Sequence, residues 1–223
     1  MTPYAAILTG DLIASTKAEP SAVATAMAEL ARASRDLHFW DLAETKFTRY
    51  PEPKFTRYRG DGWQIFLDFP GNALRACLFL TARLRASECG LTTRISVGLG
   101  RVDSLGTYDL SDASGEAFTI SGHGLDEMPR SSRMVIAGNA ELGKWHSAIY
   151  DLADWQSGRW SREQAEAVAL ALDPIDPTQE DMAKKLRITR QAMQARLSSA
   201  GYSALAAALY AFESADYPSE TTP

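Results

Sequence analysis

Two aspartates are the residues whose type and setting best suit chemistry in this sequence. Asp11 closes a short apolar run, Tyr4 to Gly10, that is typical of a strand, and Asp61 lies between two glycines at the tip of a predicted hairpin. Two carboxylates that converge repel each other unless a cation lies between them. Mg²⁺ suits that position because it is usually held by one or two carboxylates plus substrate phosphates. The pattern therefore predicts a site for Mg²⁺, or for Mn²⁺ in its place, on Asp11 and Asp61.

The residues around Asp61 favour contact with a phosphate. Gly60 and Gly62 leave the backbone open to a ligand, since glycine has no side chain. Arg57 and Arg59 are the basic residues closest to Asp61 and are therefore the best candidates for phosphate contacts. A structural alternative stays open, in which the two aspartates only shape a turn and a loop end and the arginines alternate onto a solvated sheet face.

The elements that must bring the two aspartates together follow the order β-α-β-β-α-β. In such a core the first strand lies beside the third, so the end of the first strand faces the hairpin turn. This order predicts an α+β fold with a ferredoxin-like antiparallel sheet that carries helices on one face. The predicted core elements are a strand over 4–10, a helix over 21–37, strands over 54–59 and 63–69, a helix over 72–87 and a strand over 93–100. Three additions follow: a helix over 115–128, a strand over 133–137 and a helix over 139–152.

Four segments resemble the SatD family and occur in the expected order. They are Gly10-Asp11-Leu12 followed by Ser15-Thr16, Arg59-Gly60-Asp61 with Gln64, the strand Arg94 to Gly100, and Asp112 to Phe118. This family is related to the palm fold of class III nucleotidyl cyclases, GGDEF cyclases and CRISPR polymerases. The resemblance implies a cyclase-like palm in which Asp11 and Asp61 are the catalytic, metal-binding pair.

The resemblance also implies the ligand of the palm, which is a nucleoside triphosphate or a related nucleotide. The ligand would contact the first strand end and the hairpin that carry the aspartates. The nucleotide-binding candidates are Gly10, Leu12, Ser15, Thr16, Arg57, Arg59, Gly60 and Gly62.

One stretch departs from the cyclase pattern and bears on catalysis. Cyclases place an Asn after their Gly-Asp-x-Val/Phe segment and, a turn later, an Arg that steadies the charge developing on phosphate. Here Thr119 occupies the Asn position, no Arg follows on that turn, and His123 could replace it only if protonated and correctly aimed. Loss of one preorganised cationic donor typically costs orders of magnitude in rate. The sequence therefore favours metal and nucleotide binding over efficient cyclisation.

A second unit is predicted beyond residue 160, where the composition turns helical. One helix begins after the predicted N-cap Thr178 and runs to Leu186, and a second opens three residues later at Arg190. Two helices joined by so short a turn, with an apolar seam between them, predict a helix-turn-helix. The turn position that is usually Gly is Arg187, which should cost about 1 kcal/mol if it must be left-handed.

The basic residues of this unit are concentrated in one segment. Residues 161–223 hold six Lys and Arg against nine Asp and Glu, a net charge of −3, yet five of the six cations lie between Lys184 and Arg196 with no acid among them. Such polarity is the local footprint that DNA binding needs, and Arg and Gln suit base edges. The alternative is a three-helix module for dimerisation, in which the alanine-rich segment 203–212 packs against a twin. The DNA-binding candidates are Thr189, Arg190, Gln191, Gln194 and Arg196.

The chain is expected to form two domains. A palm-like domain over 1–155 and a helix-turn-helix domain over 161–217 would be joined by a linker near Trp155 to Trp160, with a frayed tail over 218–223. A short duplication lies before the hairpin, since Lys46 to Tyr50 repeats as the sequence of 54–58. Two copies are too few for a solenoid, and a lengthened hairpin arm is the simplest interpretation.

Composition excludes several classes of protein. The 223 residues include 45% apolar residues, enough for a core, and no apolar run approaches the ~20 residues that a membrane span needs. The absence of a basic region ahead of an apolar N-terminal stretch predicts a cytoplasmic protein. Cys77 and Cys89 alone form neither a disulfide framework nor a zinc site. The formal charge of −5 argues weakly against a protein that coats nucleic acid.

The combined prediction is a cytoplasmic, homodimeric regulator whose palm binds a Mg-nucleotide and whose helix-turn-helix binds DNA. Two alternatives stay open. The chain could be a nucleotidyl cyclase or an oligonucleotide synthase that uses Asp11 and Asp61 for two-metal chemistry, with the C-terminal helices serving dimerisation. It could also carry an inactive palm that serves as a scaffold for protein contacts.

Overall fold

The computed structural model describes residues 4–45, 53–58, 60–138, 142–175 and 177–218. Within these ranges the protein has the predicted α+β class, with a mainly antiparallel sheet and eight α-helices. Arg59, the segment 46–50 of the duplication and the tail residues 219–223 lie outside the described residues. No helix of the described part is long and apolar enough to cross a membrane.

The sheet places the first strand beside the predicted hairpin. Its strands are β1 (Tyr4–Leu12), β2 (Phe55–Tyr58), β3 (Gly62–Leu67), β4 (Thr93–Ser104), β5 (Ser114–Gly115) and β6 (Met134–Gly138). Their order is β2-β3-β1-β4-β5, with β6 paired to β4. β1 is antiparallel to both β3 and β4, and β6 runs parallel to β4. The end of β1 therefore lies next to the β2–β3 turn, as expected from the order of elements.

The helices match the predicted ones in number within the core and differ in length. They are α1 (Pro20–Thr45), α2 (Ala73–Ala86), α3 (Glu116–Asp126), α4 (Lys144–Ser157), α5 (Arg162–Ala171), α6 (Gln179–Leu186), α7 (Arg190–Ser199) and α8 (Tyr202–Glu213). α1 continues beyond its predicted end at Leu37, because Trp40 packs on Phe79 of α2 with their ring centroids 4.4 Å apart. An apolar contact to a helix that is distant in sequence but adjacent in space therefore accompanies the longer α1.

Helices cover both faces of the sheet, so the prediction of helices on one face is wrong. Along β1, Ala6 and Leu8 belong to the main core formed with α1 and α2. Ala5 and Ile7 belong to a second, smaller core that includes Ala117 of α3. Successive side chains of a strand point to opposite faces, and β1 is apolar on both because both of its faces are covered.

α3 approaches β4 closely because one face of β4 carries small residues. Ser96, Gly98 and Gly100 alternate there with larger apolar residues that face the main core. A Cβ added to Gly98 would lie 2.2 Å from the carbonyl oxygen of Ala117 and 2.6 Å from the backbone nitrogen of Ser121. No side chain fits in that space, so this glycine sets how closely the helix can lie on the sheet.

The stretch 155–160 is not a linker between separate cores. α4 continues to Ser157, and Trp160 is only 1% exposed. The indole Nε1 of Trp160 donates to the carbonyl oxygen of Ala200 at 3.0 Å, and Gln156 Nε2 donates to the same oxygen at 2.8 Å. One continuous set of buried apolar side chains runs from the sheet through α5 to α8. The C-terminal helices are therefore packed onto the rest of the chain.

Candidate functional site

The register of β1 brings the two aspartates of the sequence prediction to one place. Asp11 lies directly opposite Gly62, the residue that follows Asp61 in the chain. The backbone N–H of Leu12 donates to the carbonyl oxygen of Asp61 at 3.3 Å and closes the strand end against the hairpin turn. Two residues that are far apart in sequence thus reach the same edge of the sheet.

Both aspartates line a cleft of about 580 Å³, which we name the sheet-edge cleft. It lies between the ends of β1 and β3 on one side and the C-terminal half of α3 on the other. Asp126, the last residue of α3, adds a third carboxylate to its lining, beside uncharged residues such as Tyr58 and Gln64. Sequence reasoning missed Asp126 because it belongs to no motif and comes near the cleft only through the packing of α3.

Ser15 holds the carboxylate of Asp61. Its Oγ donates to Asp61 Oδ2, so this residue, predicted to contact nucleotide, touches a lining carboxylate without lining the cleft itself. Ser15 begins a single 3-10 turn, Ser15–Lys17, directly after Ala14, whose backbone is left-handed with φ of 58°. The strained residue turns the chain after β1 so that the hydroxyl group returns toward the hairpin.

Arg94 holds the carboxylate of Asp11. It lies directly opposite Asp11 in the β1–β4 register and donates to both carboxylate oxygens, at 2.9 Å from Nε to Oδ1 and through Nη2 to Oδ2. The hydrogen bond to Asp11 and the charges of Asp11, Asp126 and Asp61 raise the pKa of Arg94 above its ordinary value. Its guanidinium is therefore the cation that offsets the converging carboxylates in this structure. The sequence holds no signal for this role, since only the strand register joins positions 11 and 94.

A buried polar chain forms the floor of the cleft. Gln64 Nε2 donates to Thr9 Oγ1 at 3.1 Å, and Thr9 Oγ1 lies 2.8 Å from Ser121 Oγ. Ser121 Oγ in turn donates to the carbonyl oxygen of Phe118 at 3.0 Å. These bonds join β3, β1 and α3, so the floor is fixed before any ligand binds.

The structure requires glycine near the aspartates for two different reasons, close packing and backbone conformation. A Cβ on Gly10 would lie 2.3 Å from the ring of Trp63, and one on Gly62 would lie 2.9 Å from the carbonyl oxygen of Tyr58. Both are therefore required by packing alone. At Gly60, φ is +85° and nothing lies within 4 Å of an added Cβ, so this glycine is required by its backbone conformation and lies outside the cleft lining.

Other predicted nucleotide contacts do not line the cleft. The side chain of Leu12 is 3% exposed in the main core, and Thr16 is exposed outside the cleft lining. Arg57 is exposed and its Nε donates to the carbonyl oxygen of Gly60 at 2.7 Å, which braces the hairpin turn. His123 lies on the exposed surface of α3 and is also absent from the lining, so it does not take the place of the missing cyclase Arg.

The donor set of the cleft suits a hard cation that is completed by other ligands. Carboxylate and hydroxyl oxygens are the donors that Mg²⁺ prefers, and this ion usually takes further ligands from water and phosphate. Among the described residues, however, no group of three or more His, Cys, Asp and Glu side chains is arranged to hold a metal ion. Both oxygens of Asp11 already accept hydrogen bonds from Arg94. Asp11 and Asp61 alone therefore do not complete a metal site, and water or phosphate would have to supply the remaining ligands.

The C-terminal candidates lie on two helices joined by a three-residue turn, α6 and α7. Arg187 ends α6 with φ of 54° and ψ of 42°, which confirms the left-handed turn position. Thr189 caps α7, and its Oγ1 accepts from the backbone N–H of Ala192 at 3.1 Å. Helix capping is therefore a sufficient structural role for Thr189, which was predicted to contact DNA.

Four cations of this segment are exposed on what we name the α6–α7 surface: Lys184, Lys185, Arg187 and Arg190. Gln191 and Gln194 are exposed beside them, and Gln194 also lines a groove of about 460 Å³ between α6, α7 and α8.

Arg196 does not belong to this surface, although it was predicted to contact DNA. Its Nη1 lies 3.2 Å from Glu166 Oε2 of α5, and its side chain is 24% exposed. Position 196 lies on the side of α7 that packs against α5, which a helical repeat alone could not distinguish from the open side. The basic footprint is therefore smaller than its sequence suggests.

Comparison with protein-family models and with curated proteins found no match for this chain. Its function is therefore inferred from the sheet-edge cleft and the α6–α7 surface themselves.

Proposed function

We propose that this chain is a regulator whose sheet-edge cleft binds a nucleotide together with Mg²⁺ and whose α6–α7 surface binds DNA. The observation that carries the first half is the meeting of Asp11 and Asp61 on adjacent strand ends in one cleft. The strand order β2-β3-β1-β4, with each neighbouring pair antiparallel, supports the proposal of a ferredoxin-like, cyclase-like palm. It supports membership of the SatD family.

The charges of the cleft make a divalent cation necessary for nucleotide binding. Asp11, Asp61 and Asp126 line it, and no Lys, Arg or His is among the described lining residues. A bare triphosphate would be repelled by these carboxylates, whereas a metal ion between phosphate and carboxylate attracts both. Nucleotide binding should therefore be lost when the metal is removed with a chelator.

Thermal unfolding tests the cleft. The Tm of wild type should rise with ATP or GTP in the presence of Mg²⁺, and Asp61→Ala should lose this rise. Asp103→Ala is the matched control, because Asp103 is exposed on β4 and does not line the cleft. Equal Tm shifts in all three proteins would remove the two-aspartate site.

The cleft favours binding over turnover. No Arg follows Thr119 on the turn where cyclases have one, Arg57 and His123 are outside the cleft lining, and Arg94 is paired with Asp11. A cation that stabilises charge on the transferring phosphate is often worth a large factor in rate. Incubation with nucleoside triphosphates followed by chromatography should therefore give no cyclic or linked product. Such a product would instead establish the cyclase or synthase alternative.

The second half of the proposal rests on the exposed cations of the α6–α7 surface. A helix-turn-helix places its second helix in the major groove, and Arg190, Gln191 and Gln194 stand on that helix. Such proteins commonly bind two half-sites as dimers, which is why we propose a homodimer. Light scattering of the purified chain measures this state directly.

A salt-dependent gel shift on the chain's own upstream DNA tests the DNA contact. Arg190→Ala should weaken binding and lower the slope of log affinity against log salt by about 1. Arg162→Ala is the matched control, because Arg162 is 51% exposed on α5 and carries the same charge. If wild type gives no shift, the regulator proposal fails.

A further inference from the structure

Asp11 has a different neighbour on each side of its strand. β3 brings Asp61 to one side, and β4 brings Arg94 to the other. The Arg94 guanidinium donates to both oxygens of Asp11, with 2.9 Å between Nε and Oδ1. A planar guanidinium matches a carboxylate in this two-point geometry, whereas a lysine ammonium acts as a point charge. Asp11 therefore already has a cation as its partner.

A divalent cation that binds Asp11 must share or displace this guanidinium. Arg94 donates to both oxygens, so each oxygen of Asp11 already accepts one charged hydrogen bond. The side chains of Asp11 and Arg94 are 27% and 35% exposed, so ions and water reach the pair and can exchange with it. Exposed pairs of this kind are weak enough to open, since their net contribution is on the order of 1 kcal/mol.

We propose that Arg94 is a competitor for Asp11 that keeps a free divalent cation off this carboxylate and yields it when a phosphate of the ligand gives the guanidinium a new partner. This inference rests on the proposed function, because it concerns the same cleft and the same ligand. Arg94 thereby links metal binding to phosphate binding.

The competition selects one class of ligand. A free metal ion has to break the Arg94 pair without giving the guanidinium a new anion, and a free phosphate meets Asp11, Asp61 and Asp126. A metal–phosphate complex supplies a cation for the carboxylates and an anion for Arg94 at the same time. The cleft should therefore discriminate against free metal and free phosphate and in favour of the complex.

Binding of Mn²⁺ alone tests the competition without any turnover. Free Mn²⁺ is followed by electron paramagnetic resonance during titration of wild type, Arg94→Gln and Arg133→Gln. Arg133 is the matched control, because its side chain is 34% exposed, it is paired with Asp154 and its loss removes the same charge. We expect Arg94→Gln to bind Mn²⁺ about tenfold more tightly than wild type, a difference of about 1.4 kcal/mol. Arg133→Gln should bind it as wild type does.

Equilibrium dialysis with the complex of Mn²⁺ and inorganic triphosphate tests whether phosphate becomes the new partner of Arg94. Arg94→Gln should bind this complex several-fold more weakly than wild type, because the phosphate has lost its guanidinium partner. The substitution thus changes the two affinities in opposite directions. A residue that only stabilises the strand end would lower both together.

Two further variants separate the outcomes. Arg94→Lys keeps the charge without the two-point pairing and should fall between wild type and Arg94→Gln, which also guards against a folding defect. In Asp11→Asn/Arg94→Gln the gain in Mn²⁺ affinity should disappear. A gain that persists there, or Mn²⁺ binding by Arg94→Gln that is no tighter than in wild type, overturns the competition. If Arg94→Gln gains Mn²⁺ but no variant binds the triphosphate complex, the competition stands and the proposed nucleotide function fails.

Discussion

The sheet-edge cleft and the α6–α7 surface hold their charged residues in different ways. In the cleft, Asp11 is paired with Arg94, which lies 83 positions away in sequence. On α6, Lys184 lies 3.1 Å from Glu180, one helical turn away. The first kind of pair exists only when two strands are in register, whereas the second forms wherever the helix forms.

This difference bears on how each region would bind a ligand. A ligand of the cleft has to exchange partners with Arg94 and Ser15, so binding there should depend strongly on the chemistry of the ligand. The α6–α7 surface presents Lys185, Arg187 and Arg190 to solvent, so phosphates can add to it without displacing buried contacts. Specific recognition is thus expected in the cleft and salt-dependent attraction on the surface.

The largest expected effect comes from breaking a contact that packs the C-terminal helices onto the rest of the chain. Trp160→Ala removes a fully buried indole and its bond to Ala200, and should lower the free energy of unfolding by about 3–5 kcal/mol. Urea unfolding followed by circular dichroism measures the loss. Trp155→Ala is the matched control, because Trp155 is 55% exposed and its ring is covered by the Arg159 guanidinium, 3.9 Å from the ring centroid.

The same experiment tests whether the regions fold as one unit. Since the main core runs from the sheet into α8, a single transition should shift as a whole in Trp160→Ala. Two separate transitions, of which only one moved, would restore the two-domain prediction.

A smaller effect should separate Arg190 from Arg196 on the same helix. Arg190→Ala should weaken DNA binding by about 1 kcal/mol or more without changing stability, because its side chain is exposed. Arg196→Ala should lower stability by less than about 1 kcal/mol, through its pair with Glu166, and leave the salt slope of DNA binding unchanged. Equal losses of DNA affinity in the two variants would contradict the orientation of α7.

A pH dependence is expected where α4 meets α8. Burial lowers the pKa of His146, which is stacked on Trp145 and packed against Phe212. The neutral ring is therefore favoured in the folded state, so its contribution is complete above the ordinary histidine pKa and is lost as the pH falls through the folded value. The urea midpoint should fall more between pH 7.5 and pH 5 in wild type than in His146→Gln. Parallel decreases in both proteins would assign the pH dependence to other groups.

The smallest effect concerns backbone strain, which each region carries once. Among the described residues, Ala14 and Arg187 are the non-glycine positions with left-handed backbone, at φ of 58° and 54°. Replacing either by Gly relieves about 1 kcal/mol of strain but adds freedom to the unfolded chain, so a net gain of roughly 0.5 kcal/mol is expected. Urea midpoints of the two single variants measure it, and a loss of stability in Arg187→Gly would mean that its side chain makes a stabilising contact.

Patterns within a few residues predicted much of the fold. The hairpin over 54–69, the three-residue turn at Arg187 and the cap at Thr178 follow from local chemistry, and the structure has each of them. Even the meeting of Asp11 with the hairpin followed from the order of elements, because few arrangements of a β-α-β-β-α-β chain exist.

Local patterns were not enough where a residue's partner lies on another helix or strand. The small residues at 96, 98 and 100 leave room on β4 for a close neighbour, and only packing makes that neighbour α3. The stretch with Gly158 resembled a linker in composition, although Trp160 is buried against Ala200. Arg196 is of a residue type that often contacts DNA, but its position on α7 pairs it with Glu166 of α5.

The sequence by itself therefore determined which residues carry the candidate chemistry, Asp11 and Asp61 on one side and the exposed cations of α6–α7 on the other. Residue type and local spacing suffice for that, because strands, turns and caps are short-range structures. Only the tertiary structure decided what each charge faces. Arg94 beside Asp11 and Asp126 above the cleft depend on register and on helix packing, and these are set by the burial of the whole core.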